Sequence, residues 1–517
     1  MHLSIASCET GEKSVAANLS KICFKQEDIE LFSAASHDRN PIHLSEEYAR
    51  RTFYGQPVVF GVLGILACLG KIDRQSPSSL SRIDAEFKHP IFVGIEYEIK
   101  IIQRNHATLR ASLSDGSRTL LKLDVTFGDE RPREASWGDL GSSARLIPAD
   151  PSEKELANGA VVTGEYQPDP VAFTDLMRRL DVDELQLGRV QLATLLWSSY
   201  VIGMEYPGRR ALFCTLSLKF ARPLGCQQAP FSYLARTTSL NVLNTLGSDL
   251  QFFAAGELAA EGQSSSVLMP ARATRSANAV RPFLVPTDCF KGKVALVIGA
   301  SRGLGAMLTS ALAMQACTVW GNFNRSASEA ELLRGSLADA SGEVILAQGN
   351  AASLEWCAAL ECRIRREYGR LDILICNACP PLLPLQLESA MVARVNSYLA
   401  DAMALASIPM SVFMGLVEES AGWNVVISSS FVESTPKAWP HYVAVKCAIE
   451  GLARVAARQY PKAHCLLVRP PQLDTDLTNS PVIQNAVMPA EFAAAAIVQR
   501  LQRAPERELE VLSLQMG

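Results

Sequence analysis

Val294-Ala295-Leu296-Val297-Ile298-Gly299-Ala300-Ser301-Arg302-Gly303-Leu304-Gly305 reads as a buried strand, a glycine turn and a helix start. Five consecutive apolar residues fit a strand covered on both faces. The glycines let the backbone turn tightly and come close to a ligand, the geometry that cradles a pyrophosphate on backbone N–H groups. Beyond it, strand-like and helical stretches alternate: Val319 to Phe323, Glu343–Ala347, a long helix around 353–368, Ile373–Ile375, Val425–Ile427 and Cys465–Val468. This order predicts an α/β doubly wound parallel sheet whose ligands bind at the carboxyl ends of the strands.

The chain is longer than one such unit. At 517 residues, and with about 150 residues per domain, three domains are expected. Polar, Pro- and Ser-containing joints near 130–160 and 271–290 suggest boundaries at 1–135, 155–275 and 288–517. The formal charge is -4, with 49 Lys and Arg against 53 Asp and Glu, so nothing favours nucleic acid or an anionic membrane as partner. The longest apolar stretch is read as Pro57 to Gly70, shorter than the ~20 residues of a spanning helix. Met1-His2-Leu3 lacks the basic start of a targeting signal, so a cytoplasmic protein is expected. Most of the 13 cysteines are isolated among apolar residues. The single C-x-x-C, Cys376-Asn377-Ala378-Cys379, has no companion pair at metal spacing, so no metal is expected.

The first block contains an apolar helical run, Gly55 to Gly70, followed by alternating segments Ile83–Phe87, Tyr97–Ile101 and Leu121–Val125, which predicts one helix wrapped by an antiparallel sheet. The second block repeats it: Gly55, Gly70 and Phe87 map onto Gly188, Gly203 and Phe220 at one offset (220 − 87 = 133). Two copies of one α+β fold in a single chain follow. At that offset Asp38 and His43 correspond to Val171 and Leu176, so the second copy is expected to support the first without chemistry of its own.

Asp38-Arg39-Asn40-Pro41-Ile42-His43 supplies a carboxylate and an imidazole, an acid–base pair able to add or remove water across a thioester-conjugated double bond. Gly61 opens an apolar helix, where a backbone N–H can meet a developing enolate oxygen. The same residues also fit a plain cap, Asp38 and Asn40 starting a helix at Pro41. Ser36 to His43 followed by Phe60-Gly61-Val62-Leu63 resembles the hot dog fold of the MaoC-like, R-specific enoyl-CoA hydratases and dehydratases. The resemblance covers residues 20–130, and 160–270 only through the repeat, giving a double hot dog. It implies Asp38 and His43 as the catalytic pair, Asn40 as an aid to orienting the His, and Gly61 as the oxyanion contact. His37 stands where that family usually has Gly, and Phe60 where it often has His.

In the third block, Thr318–Phe323 ends in Asn324-Arg325 and not in the acidic residue that would bind a free ribose 2′-hydroxyl. Arg302 and Arg325 suit a 2′-phosphate. Tyr442 and Lys446 lie four apart on one helix face, and Ser429 follows the strand Val425–Ile427, with Ser428 and Ser430 as alternative hydroxyls. From Lys291 to about 480 the chain resembles the short-chain dehydrogenase/reductase family with its Rossmann-type sheet, most closely the 3-oxoacyl reductases. The resemblance implies Tyr442 as proton donor, Ser429 as carbonyl-orienting hydroxyl, Lys446 as the lysine that lowers the Tyr pKa and binds ribose, and Asn396 as part of a proton relay. It implies NADPH held by Gly299, Ser301, Arg302, Gly303, Leu304, Gly305, Asn324, Arg325, Asn350, Asn377, Tyr442, Lys446 and Thr475. Cys376-Asn377-Ala378-Cys379 replaces Asn-Asn-Ala-Gly, Asn350 an adenine-contacting Asp, and Pro470-Pro471 a Pro-Gly.

Together these imply a bifunctional enzyme of fatty acid or polyketide type synthesis, 3-oxoacyl thioester reductase and 3-hydroxyacyl thioester dehydratase, self-associating, with its substrate on coenzyme A or acyl carrier protein. Two other readings remain: hydration and oxidation in the reverse direction, or a reductase carrying an inactive hot dog scaffold.

Overall fold

The computed structural model describes residues 17–515 except 50–51, 53, 73–78, 106, 117, 129–143, 153, 157–158, 183–186, 222–230, 242–243, 270–275, 384, 437–438 and 479–486. The Met1-His2-Leu3 start, Arg222-Pro223 of the repeat and much of both joints lie outside the described residues. The chain divides into two compact units, one comprising the chain up to Ser45 with Pro57–Met269, the other Glu46–Gln56 with the chain from Pro270.

The first unit is built on ten strands: β1 (Ala17–Cys23), β2 (Leu80–Phe87), β3 (Glu96–Gln103), β4 (Thr108–Ser114), β5 (Thr119–Phe127), β6 (Val161–Tyr166), β7 (Ala211–Phe220), β8 (Phe231–Leu240), β9 (Thr245–Ala254) and β10 (Glu257–Leu268). They form one antiparallel sheet in the order β1-β3-β4-β5-β2-β7-β10-β9-β8-β6. The order is a palindrome about the β2–β7 pair, where Ile83 faces Leu218. Strand β4 shows why the sheet has an inner face: Leu109, Ala111 and Leu113 alternate with polar residues and are buried.

Its helices are α1 (Gln26–Ser36), α2 (Pro41–Leu44), α4 (Gly61–Leu69), α5 (Pro170–Arg179) and α6 (Arg189–Tyr200), with α3 (Glu46–Ala49) falling in the segment grouped with the second unit. Helix α4 is apolar on every side and buried from Val62 to Leu69, as a core helix must be. It begins at Gly61, not Gly55. Helix α6 begins at Arg189 and runs into a π-helical turn, Val201–Glu205. The two apolar helices are thus unequal in length.

The single offset of 133 is also corrected. Strand β1, helix α1 and the left-handed His37 (φ 58) correspond to β6, α5 and the left-handed Asp181 (φ 59) at an offset of 144 (181 − 37). Val171 and Leu176 lie inside α5 and are not the counterparts of Asp38 and His43. The registers differ because residues 37–60 join α1 to α4, whereas only 180–188 join α5 to α6. The longer connection carries Asp38, Asn40 and His43, and the second copy has no segment equivalent to it.

The second unit holds a parallel sheet in the order β13-β12-β11-β14-β15-β16, with a seventh strand, Leu509–Ser513, on the β16 edge. Its strands are β11 (Val294–Ile298), β12 (Thr318–Phe323), β13 (Val344–Gln348), β14 (Ile373–Cys376), β15 (Trp423–Ile427) and β16 (His464–Arg469). Its principal helices are α7 (Gly303–Ala313), α8 (Ala327–Ser336), α9 (Leu354–Tyr368), α10 (Val392–Glu419), α11 (Pro440–Gln459) and α12 (Ala490–Leu501). The strand order reverses at β11, which opens a crevice at the carboxyl ends. Helix α10 corrects the reading of Pro57 to Gly70 as the longest apolar stretch: it has 28 residues and is long and apolar enough to cross a membrane. Its buried residues, among them Val395, Ala402, Met410 and Phe413, belong to the core under this sheet.

Candidate active sites

In the first unit, α1 ends at His37, whose left-handed backbone is the conformation for which glycine is favoured. Asp38 follows and is buried. Its Oδ2 accepts a hydrogen bond from Ser199 Oγ at 2.7 Å and its Oδ1 one from Asn40 N at 3.0 Å. Burial pushes the carboxyl up to about 7, although both hydrogen bonds favour the ionised form. Near neutral pH it can therefore give or take a proton.

Asn40 caps α2, its side-chain oxygen accepting from Ile42 N at 3.1 Å. Half of the capping reading is therefore right, but Asp38 takes no part in it. The Asn40 amide donates to the carbonyls of Gly203 at 3.0 Å and Gly208 at 3.3 Å. It thus fixes the helix that bears His43 and makes no direct bond to the imidazole. His43 Nδ1 lies 2.7 Å from Val58 O. A carbonyl only accepts, so Nδ1 carries the proton and Nε2 keeps its lone pair. Burial pushes the imidazole down to about 4, and its ring stacks on Phe60 with centroids 3.9 Å apart. Phe60 is the residue immediately before Gly61, the first residue of α4, whose N–H has no acceptor within the helix. A Cβ at Gly61 would lie 2.7 Å from the Phe87 ring, so packing also demands glycine there.

Sequence reasoning missed what the second copy contributes. Ser199 holds Asp38. Gly203 sits so close that a Cβ would fall 2.6 Å from Asp38 Oδ1. Met204 Sδ lies 3.0 Å from Arg39 N, and Tyr166 Oη lies 3.3 Å from Ser36 O. Gly203 and Met204 belong to the π turn, a distortion frequent at functional positions. Four residues apart, Ser199 and Gly203 carry no local sequence signal of this role.

In the second unit the glycine turn is built as its sequence suggests. Gly299 (φ 80) and Gly303 (φ 54) are left-handed, and a Cβ at Gly305 would lie 1.9 Å from Gly299 O. Arg302 stands at the N-cap of α7, with Ser301 before it in the turn and Leu304 buried in the first turn of the helix. Asn377 Nδ2 donates to Gly299 O at 3.0 Å. Thr475 faces Gly303, where a Cβ would be 3.4 Å from its methyl. Asn322, absent from the sequence reading, is buried: its Oδ1 accepts from Gly299 N at 3.3 Å and its Nδ2 donates to Gly349 O at 3.0 Å. Asn324 O accepts from Gln348 Nε2 at 3.3 Å, and Asn350 caps the next turn through Ala352 N at 3.0 Å. This cradle, which any side chain would fill, fits a dinucleotide pyrophosphate at the α7 N-terminus. Arg325 Nη1 is 3.0 Å from Glu46 Oε2, an exposed pair that a phosphate can displace.

Tyr442 and Lys446 lie in the first two turns of α11. The Lys446 ammonium, buried, donates to Ile427 O at 2.7 Å and lies 5.5 Å from the Tyr442 ring centre. Ser429 hydrogen-bonds Tyr442. Burial raises the Tyr442 hydroxyl well above the ordinary phenol value, the Cys379 charge adds to this, and Ser429 opposes it. Burial lowers the Lys446 ammonium. Ser428 is committed elsewhere, donating to Glu450 Oε1 at 2.7 Å, and Glu450 is clamped by Arg469. Ser429 is therefore the hydroxyl at Tyr442. Asn396 is exposed on α10, while Tyr398, one helix face away, is buried with its hydroxyl 3.5 Å from Cys379 Sγ.

The short chain dehydrogenase family model matches residues 293–485, and the MaoC like domain model residues 7–119. The (R)-specific enoyl-CoA hydratase of Aeromonas caviae is 34% identical over 102 residues, 19% of this chain and 73% of that protein. The chain joins a MaoC-like domain to a short-chain dehydrogenase domain. The dehydrogenase domain is 27% identical over 196 residues to the 3-oxoacyl-[acyl-carrier-protein] reductase FabG of Escherichia coli, 37% of this chain and 78% of that one. It is also 33% identical over 88 residues to an uncharacterized oxidoreductase of Methylorubrum extorquens, a match that spans 17% of this chain and only 36% of that protein. The MaoC-like match contains Asp38, His43 and Gly61, and the dehydrogenase match contains the glycine turn, Ser429, Tyr442 and Lys446.

Proposed function

We propose that the chain is a bifunctional enzyme of fatty acid or polyketide type synthesis. Its dehydrogenase domain, from residue 288, reduces a 3-oxoacyl thioester with NADPH. Its N-terminal double hot dog, with a catalytic copy at 1–135 and a silent copy at 155–275, dehydrates the resulting 3R-hydroxyacyl thioester to the trans-2-enoyl product. The names of the relatives matched by each half, a 3-oxoacyl reductase and an R-specific enoyl-CoA hydratase, support thioesters of coenzyme A or acyl carrier protein as substrates. The observation that carries the synthetic direction is the end of β12, where Asn324-Arg325 stands in place of an acidic residue and suits NADPH, the usual reductant of synthesis.

The glycine turn of 299–305, Asn377 and Lys446 would hold NADPH, with Arg302 and Arg325 suited to its 2′-phosphate, and the cofactor bound there would supply the reducing equivalent. Ser429 orients the substrate carbonyl oxygen and Tyr442 gives it a proton as the alcohol forms. The Lys446 charge favours the tyrosinate left behind, and a relay through Asn396 to solvent restores the proton.

In the hot dog half, His43 Nε2 removes the C2 proton. Gly61 N–H meets the charge that develops on the thioester oxygen. Asp38, in its acid form, protonates the departing 3-hydroxyl, so the C3–O bond breaks as C2=C3 forms and water leaves. The singly protonated pair dominates between about 4 and about 7, with the proton on Asp38 and His43 neutral.

The test is to supply NADPH and a short 3-oxoacyl thioester and follow cofactor absorbance and acyl mass. A gain of two hydrogens followed by loss of water supports the proposal. A product that stops at the hydroxyacyl stage refutes the dehydratase half.

A further inference from the structure

Beside the Ser429 and Tyr442 hydroxyls stands an aromatic wall. The Phe431 N–H donates to Ser429 Oγ at 3.2 Å, and the Phe431 ring meets that of Tyr442 edge-on, 6.3 Å between centroids at 84°. The Trp439 indole stacks on Phe431, centroids 5.9 Å apart with 13° between the ring planes, so the two rings stand as one aromatic block. Both are partly exposed, although rings of this size would ordinarily be covered.

The backbone that presents them is strained. Thr435 (φ 39) and Trp439 (φ 62) are left-handed, and for a residue as bulky as Trp this is an outlier. Trp439 O accepts the N–H groups of Tyr442 at 3.0 Å and Val443 at 3.2 Å, which fixes the Trp439 backbone to the first turn of α11. Strain of this kind persists where the surroundings impose it, and it concentrates at ligand clamps.

We propose that Phe431 and Trp439 form the acyl subsite of the dehydrogenase domain and select 3-oxoacyl thioesters whose chain beyond the reacting carbonyl is apolar. The inference rests on the reductase reading above. A carbonyl oxygen held by Ser429 and Tyr442 brings one neighbouring arm of the substrate against the Phe431 ring. The thioester arm carries amides, which a ring face leaves without partners, whereas the alkyl arm loses only water-exposed surface.

The experiment measures kcat/KM for reduction across 3-oxoacyl thioesters of increasing chain length. At about 0.8 kcal/mol per buried methylene, the wild type gains roughly fourfold for each added methylene that reaches the wall. Phe431→Ala and Trp439→Ala flatten that slope through KM, so their loss grows with chain length, while Trp439→Phe keeps most of it. A loss of equal size at every length, or an unchanged slope in both alanine variants, overturns the proposal. Quenching of Trp439 fluorescence by saturated acyl thioesters, taken as the difference between wild type and Trp439→Phe, reads the wall without turnover. Length-dependent quenching with no reduction of any substrate refutes the reductase reading alone. Length-independent quenching refutes the wall.

Discussion

Ser199 Oγ donates to Asp38 Oδ2 at 2.7 Å although 161 residues separate them in sequence. The donor stands on the copy that has no acid–base pair, the acceptor on the copy that has one. The second copy therefore favours the ionised form of Asp38, against the burial that raises its carboxyl.

Removing that donor has a signed consequence. The Ser199 bond favours ionised Asp38, so Ser199→Ala raises the carboxyl above its present value of about 7. The acid form then survives to higher pH. The pH profile of kcat/KM for dehydration, bounded by about 4 and about 7 in the wild type, moves its alkaline limb upward while the acid limb set by His43 stays. An unmoved alkaline limb contradicts this role.

Gly203→Ala places a methyl where Asp38 Oδ1 now lies, 2.6 Å from the ideal Cβ. The carboxylate or the π turn must shift. Dehydration falls at least tenfold, overpacking costs about 1–3 kcal/mol of stability, and NADPH-dependent reduction is retained. Paired measurement of the two rates in one preparation checks this.

Gly305→Val fills the pyrophosphate cradle, since even a Cβ lies 1.9 Å from Gly299 O. NADPH binding, read by titration calorimetry, is abolished. Hydration of an enoyl thioester continues, because its residues lie in the other unit.

Tyr442→Phe removes the proton donor and lowers reduction by about 10²–10⁴-fold. In the wild type, burial keeps Tyr442 protonated, so the reduction rate shows no alkaline loss from this residue through pH 9. A tyrosine limb near neutrality contradicts that.

The parallel sheet was readable because five-residue apolar strands and left-handed glycines leave local signals, as at Val294–Gly305. The edge strand Leu509–Ser513 was not: it is short and half exposed, and only its pairing with β16 makes it a strand. The repeat was visible at Phe87 and Phe220, but a single offset hid the extra segment that carries Asp38 and His43, because insertions leave no periodicity. Asp38, His43, Ser429, Tyr442 and Lys446 were legible as residue types at a spacing. Ser199, Gly203 and Asn322 were not, since their roles come from tertiary contacts across many residues.

The most direct test of the account is the acyl product formed from NADPH and a short 3-oxoacyl thioester by wild type, Asp38→Asn and Tyr442→Phe, read by mass. The account predicts enoyl thioester from the wild type, hydroxyacyl thioester from Asp38→Asn and unchanged substrate from Tyr442→Phe. Enoyl product from Asp38→Asn at the wild-type rate, or hydroxyacyl product as the wild-type end point, contradicts it.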